Sequence, residues 1–165
     1  MNYKIIILAP SAGGKSTLMR YLREHTDLHI SETDEEVLKA NNNIWPADND
    51  YKNRILVPQI AEEIIRQDNV IFFASYIPTE LIKKAEENGF KVVLLNLTLD
   101  QLKKRNIKRM EKEGYEDAMP WFKGQLDNYK RLSNERLVDE IIDGNKPTNQ
   151  ICDELVNMAS KSDRQ

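Results

Sequence analysis

The chain has 165 residues, 40% of them hydrophobic and 31% charged, which suits one domain with a real core and a polar surface. A net charge of −3 with no long basic block argues against nucleic acid as a partner. No run approaches the about 18 apolar residues that a membrane span requires. A lone cysteine, Cys152, makes no internal disulfide, and the first residues lack a signal-peptide apolar stretch. The expectation is a cytoplasmic protein with residues 1–165 in one domain and no membrane association.

Residues 3–9 carry Ile5-Ile6-Ile7-Leu8, a continuous apolar run that suits a strand buried on both faces. Residues 15–25 read as a helix, with Leu18 and Leu22 one turn apart, and a short strand follows over 28–31. Glu32-Thr33-Asp34-Glu35-Glu36 opens a second helix with acids where the helix dipole favours them. Asn41-Asn42-Asn43 and Trp45-Pro46 end it. Leu56, Ile60 and Ile64, with Val57, Ala61 and Ile65 beside them, predict one long amphipathic helix over 50–67. A buried strand at 70–74, a helix at 78–88 closed by Asn88-Gly89, and a further strand at 90–97 come next. A helix is expected over 100–113, with Leu99, Leu102 and Met110 on its buried stripe. Gly114 and Pro120 flank an irregular segment, a helix resumes over 121–135, a last strand is expected over 137–142 and a last helix over 148–160. Cys152 falls on the apolar face of that last helix with Leu155, Val156 and Ala159, as a packed thiol would. Alternating strands and helices predict an α/β fold whose ligands bind at the carboxyl ends of the strands.

One such end carries Ala9-Pro10-Ser11-Ala12-Gly13-Gly14-Lys15-Ser16-Thr17. Phosphate loops have glycine, four residues, Gly-Lys, then Ser or Thr between a strand and a helix. Gly14, Lys15 and Ser16 match, and Ala9 stands for the leading glycine. Gly13 and Gly14 let successive N–H groups curl toward phosphate oxygens. The pattern assigns Ser11, Ala12, Gly13, Gly14, Lys15, Ser16 and Thr17 to a nucleoside triphosphate, with Lys15 on the β- and γ-phosphates and the Ser16 hydroxyl on Mg²⁺.

Asn145-Lys146-Pro147-Thr148 lacks the aspartate that reads guanine in GTPases. The strands ending Ala74-Ser75 and Leu97-Thr98 lack the acid that motor ATPases place there. The acids follow the second strand instead. Glu32-x-Asp34 resembles the Asp-x-Asp of shikimate kinases, and Arg105-x-x-x-Arg109 resembles the arginine-bearing helix that leads into the lid of small P-loop kinases. The string from Ala9 to Leu18 resembles the phosphate loop of guanylate kinases. The chain thus resembles the small P-loop kinases, in particular the shikimate kinase-like and nucleoside monophosphate kinase-like groups. It departs from shikimate kinases at Ser75-Tyr76-Ile77-Pro78, where they carry three glycines, and it lacks the GMP-binding segment of guanylate kinases. Neither family's acceptor therefore carries over.

The resemblance implies a three-layer P-loop NTPase fold with a mostly parallel five-stranded sheet and helices on both faces, in which the segment at about 111–120 suits a short lid or a plain surface loop. It implies phosphotransfer from ATP, with Mg²⁺, to a small molecule bearing a hydroxyl or phosphate. Catalytic roles fall to Lys15, Asp34, Arg105 and Arg109, with Glu32 reaching the metal through water. Asp34 also suits a helix cap, and the arginines also suit a solvated basic face with Lys103, Lys104, Lys108 and Lys112. Arg54 and Tyr76 are candidates for the acceptor, and Asn145, Lys146 and Pro147 for the nucleotide base. Trp45 suits packing or, with Tyr76, a wall of the acceptor pocket, Trp121 and Tyr129 suit packing or anchoring of the lid, and His25 and His29 suit the surface. A nucleoside monophosphate kinase and a slow ATP-hydrolysing switch are the rival readings.

Overall fold

The apolar runs become the middle of a five-stranded sheet. In the computed structural model, which describes residues 2–161, β1 (Lys4–Leu8) lies at its centre. β3 (Val70–Ala74) and β4 (Lys91–Asn96) flank β1, with β2 (Ile30–Glu32) and β5 (Glu140–Asp143) at the edges. The order is β2-β3-β1-β4-β5, and all four neighbouring pairs are parallel. Five strands were expected, and the sheet is parallel throughout rather than mostly so.

Successive side chains of a strand point to opposite faces, and β1 feeds two cores in this way. Ile6 and Leu8 pack with α4 (Val57–Ile65), α5 (Thr79–Glu87) and α7 (Met119–Asn134). Ile5 and Ile7 pack with α1 (Lys15–His25) and α8 (Thr148–Lys161). A third cluster joins Ala12 and Leu97 to Leu102 of α6 (Leu99–Glu113) and to Ala118 and Phe122. It seats α6 and the start of α7 over the end of β1.

Several boundaries differ from the sequence expectation. β2 begins at Ile30, because the His29 N–H is taken by the Tyr3 hydroxyl at 2.7 Å. α2 (Thr33–Ala40) follows it. The long helix expected over 50–67 divides into α3 (Asn49–Tyr51), a π-helical segment Lys52–Leu56 and α4. Pro58 explains the break: it has no N–H to give to the carbonyl four residues back, and its ring collides there. The wider turn, in which the Val57 N–H bonds Lys52 O, relieves that collision. β5 starts at Glu140 instead of 137, because α7 closes with Leu137 N–H on Leu132 O at 2.9 Å and with Arg136 left-handed at φ 61°. Asp139 is held by Val92 at both its backbone N–H and its carboxylate.

The buried stripe of α6 is also different. Leu102 is buried, but Leu99 and Met110 are exposed, and the other buried residue is Asn106. Cys152 packs as expected, and burial pushes its thiol up to about 11. Tyr129 is buried, while Trp45 and Trp121 are exposed, so packing accounts for only the first of these aromatics. His25 and His29 are on the surface. Among the described residues no helix is long and apolar enough to cross a membrane.

Candidate active site

The register of the sheet brings three strand ends together. Leu8 pairs with Ala74, and Glu32 pairs with Phe73, so the segments after β1, β2 and β3 emerge side by side. The Ala9 N–H donates to Ala74 O at 3.0 Å, and Gly13 N–H donates back to Pro10 O at 2.9 Å, closing the loop before α1. Gly13 admits no side chain, since a Cβ would lie 2.7 Å from Pro10 O. Gly14 sits at φ 91°, in the left-handed region.

The departure at Ala9 carries no strain, because its φ is not positive. The strained residue is Ala12, at φ 61°, a conformation that costs an L-residue about 1 kcal/mol. Among the described residues, the backbone N–H groups of Ala12, Gly14, Lys15, Ser16 and Thr17 take no hydrogen bond. A run of unpaired donors at the first turn of a helix is a site for an anion.

Lys15 is half-buried and donates to Ala9 O at 3.1 Å and Pro10 O at 3.2 Å. Burial lowers its pKa, while the charges of Glu32 and Asp34 act in the opposite sense. Glu32, rather than Asp34, caps α2, accepting from the Glu35 N–H at 3.3 Å. Burial first and the charge of Asp34 second raise the Glu32 carboxyl above its ordinary range. Asp34 is exposed, and its side chain makes no hydrogen bond among the described residues. The alternative reading of Asp34 as a cap is thereby removed.

These groups line one cleft of about 510 Å³. Ser11 to Thr17, Glu32, Asp34, Arg105, Arg109 and Lys146 are all on its wall. Asn145, Pro147, Arg54 and Tyr76 are not. Asn145 and Pro147 are exposed, and Gly144 lines the cleft at that end instead, close against Leu97, where a Cβ would meet Leu97 Cγ at 2.8 Å. Arg54 faces solvent on the π-helical segment and Tyr76 is 48% exposed. Lys146 is paired with Glu154 at 2.7 Å, which raises its pKa.

Arg105 reaches across the cleft floor, donating to Gly13 O at 3.2 Å and to Gly144 O at 2.9 Å. Burial lowers its pKa. Among the described residues the buried Nε of Arg109 has no hydrogen-bond partner, and its guanidinium lies 4.4 Å from the centroid of Tyr115. Lys108 and Lys112 line the cleft as well. Positions 105, 108, 109 and 112 follow helical spacing, so one cationic face of α6 borders the cleft, with Lys108 and Lys112 exposed to solvent on it.

Sequence reasoning places Ser75 among the strand-end candidates, and it lines the cleft, but two supporting contacts were not foreseen. Ser75 is held by the buried Tyr129 hydroxyl, which donates to Ser75 O at 2.6 Å. Gln125 of α7 bonds Ser11 at both ends of its amide. Neither partnership has a local signal, because the partners are far apart in sequence.

No protein-family model matches the chain, and no curated protein matches it either. Solved structures do. Shikimate kinase from Acinetobacter baumannii in complex with shikimate superposes with a TM-score of 0.74 at 14% identity, covering 97% of this chain and 94% of the other. The Aquifex aeolicus shikimate kinase gives 0.67 at 15% identity, covering 96% and 97%. A gluconokinase from Sinorhizobium meliloti gives 0.60 at 18%, covering 96% and 94%. The chain has the fold of the small P-loop kinases. Within that fold the cleft carries a donor set that fits a nucleotide and its metal: unpaired N–H groups and Lys15 suit phosphate, and the hard oxygens of Ser16 and Glu32 suit Mg²⁺. Among the described residues no group of three or more His, Cys, Asp or Glu could hold a metal ion.

Proposed function

We propose that the protein is a phosphotransferase that moves the γ-phosphate of ATP to a small hydroxyl- or phosphate-bearing molecule. The carrying observation is the convergence, in one cleft, of five unpaired backbone N–H groups, Lys15, an uncommitted Asp34 and the cationic face of α6. Phosphoryl transfer needs positioning and charge neutralisation more than covalent work, and these groups supply both. The likeness to shikimate kinases and a gluconokinase supports a small-molecule acceptor.

In this reading the N–H groups of the loop bind the β-phosphate region and Lys15 leaves its carbonyl partners to bridge the β- and γ-phosphates. Ser16 would hold Mg²⁺ directly and Glu32 through water, and the ion would neutralise phosphate charge. Asp34 accepts a hydrogen bond from the acceptor hydroxyl, orients it and takes its proton. Arg109, whose Nε is unpaired, stabilises charge on the transferred group, and Arg105 holds the two carbonyl turns on either side of the nucleotide.

The test is an ADP-release screen over nucleosides, nucleotides, sugars and hydroxy acids. We expect weak hydrolysis alone and strong ADP release with one acceptor class. Lys15→Ala should abolish tight MgATP binding, and Asp34→Asn should lower kcat by about 100-fold while leaving MgATP affinity within a few-fold. Equal MgATP affinity in Lys15→Ala, or acceptor-independent turnover at the full rate, would overturn the reading.

A further inference from the structure

We propose that Gln125 is a positioning residue that sets the shape of the phosphate loop from outside the cleft, an inference that rests on the nucleotide-binding role proposed above. Gln125 lies on α7, 114 residues from Ser11. Its Oε1 accepts from the Ser11 N–H at 2.9 Å, and its Nε2 donates to the Ser11 Oγ at 3.0 Å. Both ends of one amide are used, and the Ser11 N–H and Oγ are both engaged. Gln125 is half-buried and does not line the cleft, so it acts on a ligand only through Ser11.

The place of the contact gives it consequence. Ala12 follows Ser11 in the left-handed conformation, and its free N–H begins the run of donors. An L-residue leaves that conformation when its neighbours are not held. Gln125 holds the residue before Ala12, and Arg105 holds the residue after it through Gly13 O. α7 is itself fixed at two further points. Tyr129, one turn beyond Gln125, donates to Ser75 O, and Asn106 of α6 accepts from the Ala118 N–H at the start of α7. Gln125 thus ties the donor loop to a helix that also carries the end of β3.

The discriminating variant is Gln125→Met, which keeps length and volume but cannot make the two hydrogen bonds. Binding of a non-hydrolysable MgATP analogue by calorimetry should weaken about tenfold, as expected for losing two such bonds. Amide exchange at Ser11 should accelerate, a change that loss of packing alone does not produce. Ser11→Ala removes only the hydroxyl partner and should weaken binding by about threefold. It also serves if Gln125→Met fails to fold. The double variant should bind about as weakly as Gln125→Met alone, because the two residues act as one unit. Affinity within twofold of wild type in both single variants, unchanged Ser11 exchange, or effects that multiply in the double variant would overturn the proposal. Wild-type protein that fails to bind the analogue would overturn the nucleotide reading together with it. Wild-type binding that survives unchanged in the variants would overturn the role of Gln125 alone.

Discussion

The Arg109 guanidinium lies over the ring of Tyr115, 4.4 Å from its centroid. Arg109 lines the cleft and Tyr115 belongs to the short stretch 114–118 between α6 and α7, so this contact ties a cationic group of the cleft to that stretch. The buried, unpartnered Nε leaves Arg109 with a donor to offer. Arg109→Ala should lower kcat about 100-fold with a smaller effect on MgATP affinity, as for loss of one charge-stabilising donor. Tyr115→Leu should cost only about threefold, the scale of a half-exposed cation–π contact. Steady-state kinetics with the acceptor identified by the screen decide both, and full activity in Arg109→Ala would remove it from the mechanism.

What was legible in the sequence was whatever is encoded locally. The loop Ala9 to Thr17 between β1 and α1 is nine consecutive residues with its glycines and Lys15 at fixed spacing, and Arg105 and Arg109 share a face by helical periodicity alone. Ile5 to Leu8 and Val70 to Ala74 are apolar on both faces because both faces are covered. The illegible parts depend on distant partners or on competition between local rules. Asn106 sits where the stripe calls for an apolar residue, and its partners Asp117 and the backbone of Ala118, across the turn into α7, explain it. The π-helical segment arises because Pro58 lies inside an otherwise regular apolar pattern. Arg54 has the charge for an acceptor site, yet the turn that carries it leaves it facing solvent.

Glu32 should make stability depend on pH in a defined direction. Burial and the neighbouring Asp34 charge raise its folded pKa above the usual 4.5, so the folded protein holds this proton more firmly than the unfolded chain does. Its contribution to stability is fully present below the ordinary value and is lost as pH rises through the raised folded value. Glu32→Gln keeps an oxygen to cap α2 but cannot ionise. Its melting temperature should match that of wild type near about pH 4 and exceed it near about pH 8. The same variant should need more Mg²⁺ for nucleotide binding. A variant no more stable than wild type at the higher pH would show that the carboxylate pair is not strained.

Arg105 spans two turns, Gly13 O on one side and Gly144 O on the other. A planar guanidinium presents a fixed fork of donors, whereas an ammonium is a single point. Arg105→Ala should weaken MgATP binding about tenfold, and Arg105→Lys should recover little of that loss. Full recovery by lysine would show that only the positive charge is needed and that the bridge between the turns is incidental.

The start of α7 hangs on Asn106, which is 1% exposed. Its Nδ2 donates to Asp117 Oδ1 at 2.7 Å, and its Oδ1 accepts from the Ala118 N–H at 3.0 Å. Asp117 also accepts from the Met119 N–H, and that bond first and Asn106 second lower its pKa. Asn106→Leu would match the apolar neighbours Leu102, Ala118 and Phe122 in shape and hydrophobicity. It would nevertheless leave the buried Ala118 N–H without a partner, at a cost of about 1–3 kcal/mol. The expected result of urea denaturation is a loss of stability of that size, despite the more apolar core. Proteolysis should cut within 114–118 sooner than in wild type, because that stretch loses its anchor to α6. Unchanged stability with unchanged cleavage would mean that the third apolar cluster, and not Asn106, holds α7 over the loop before α1.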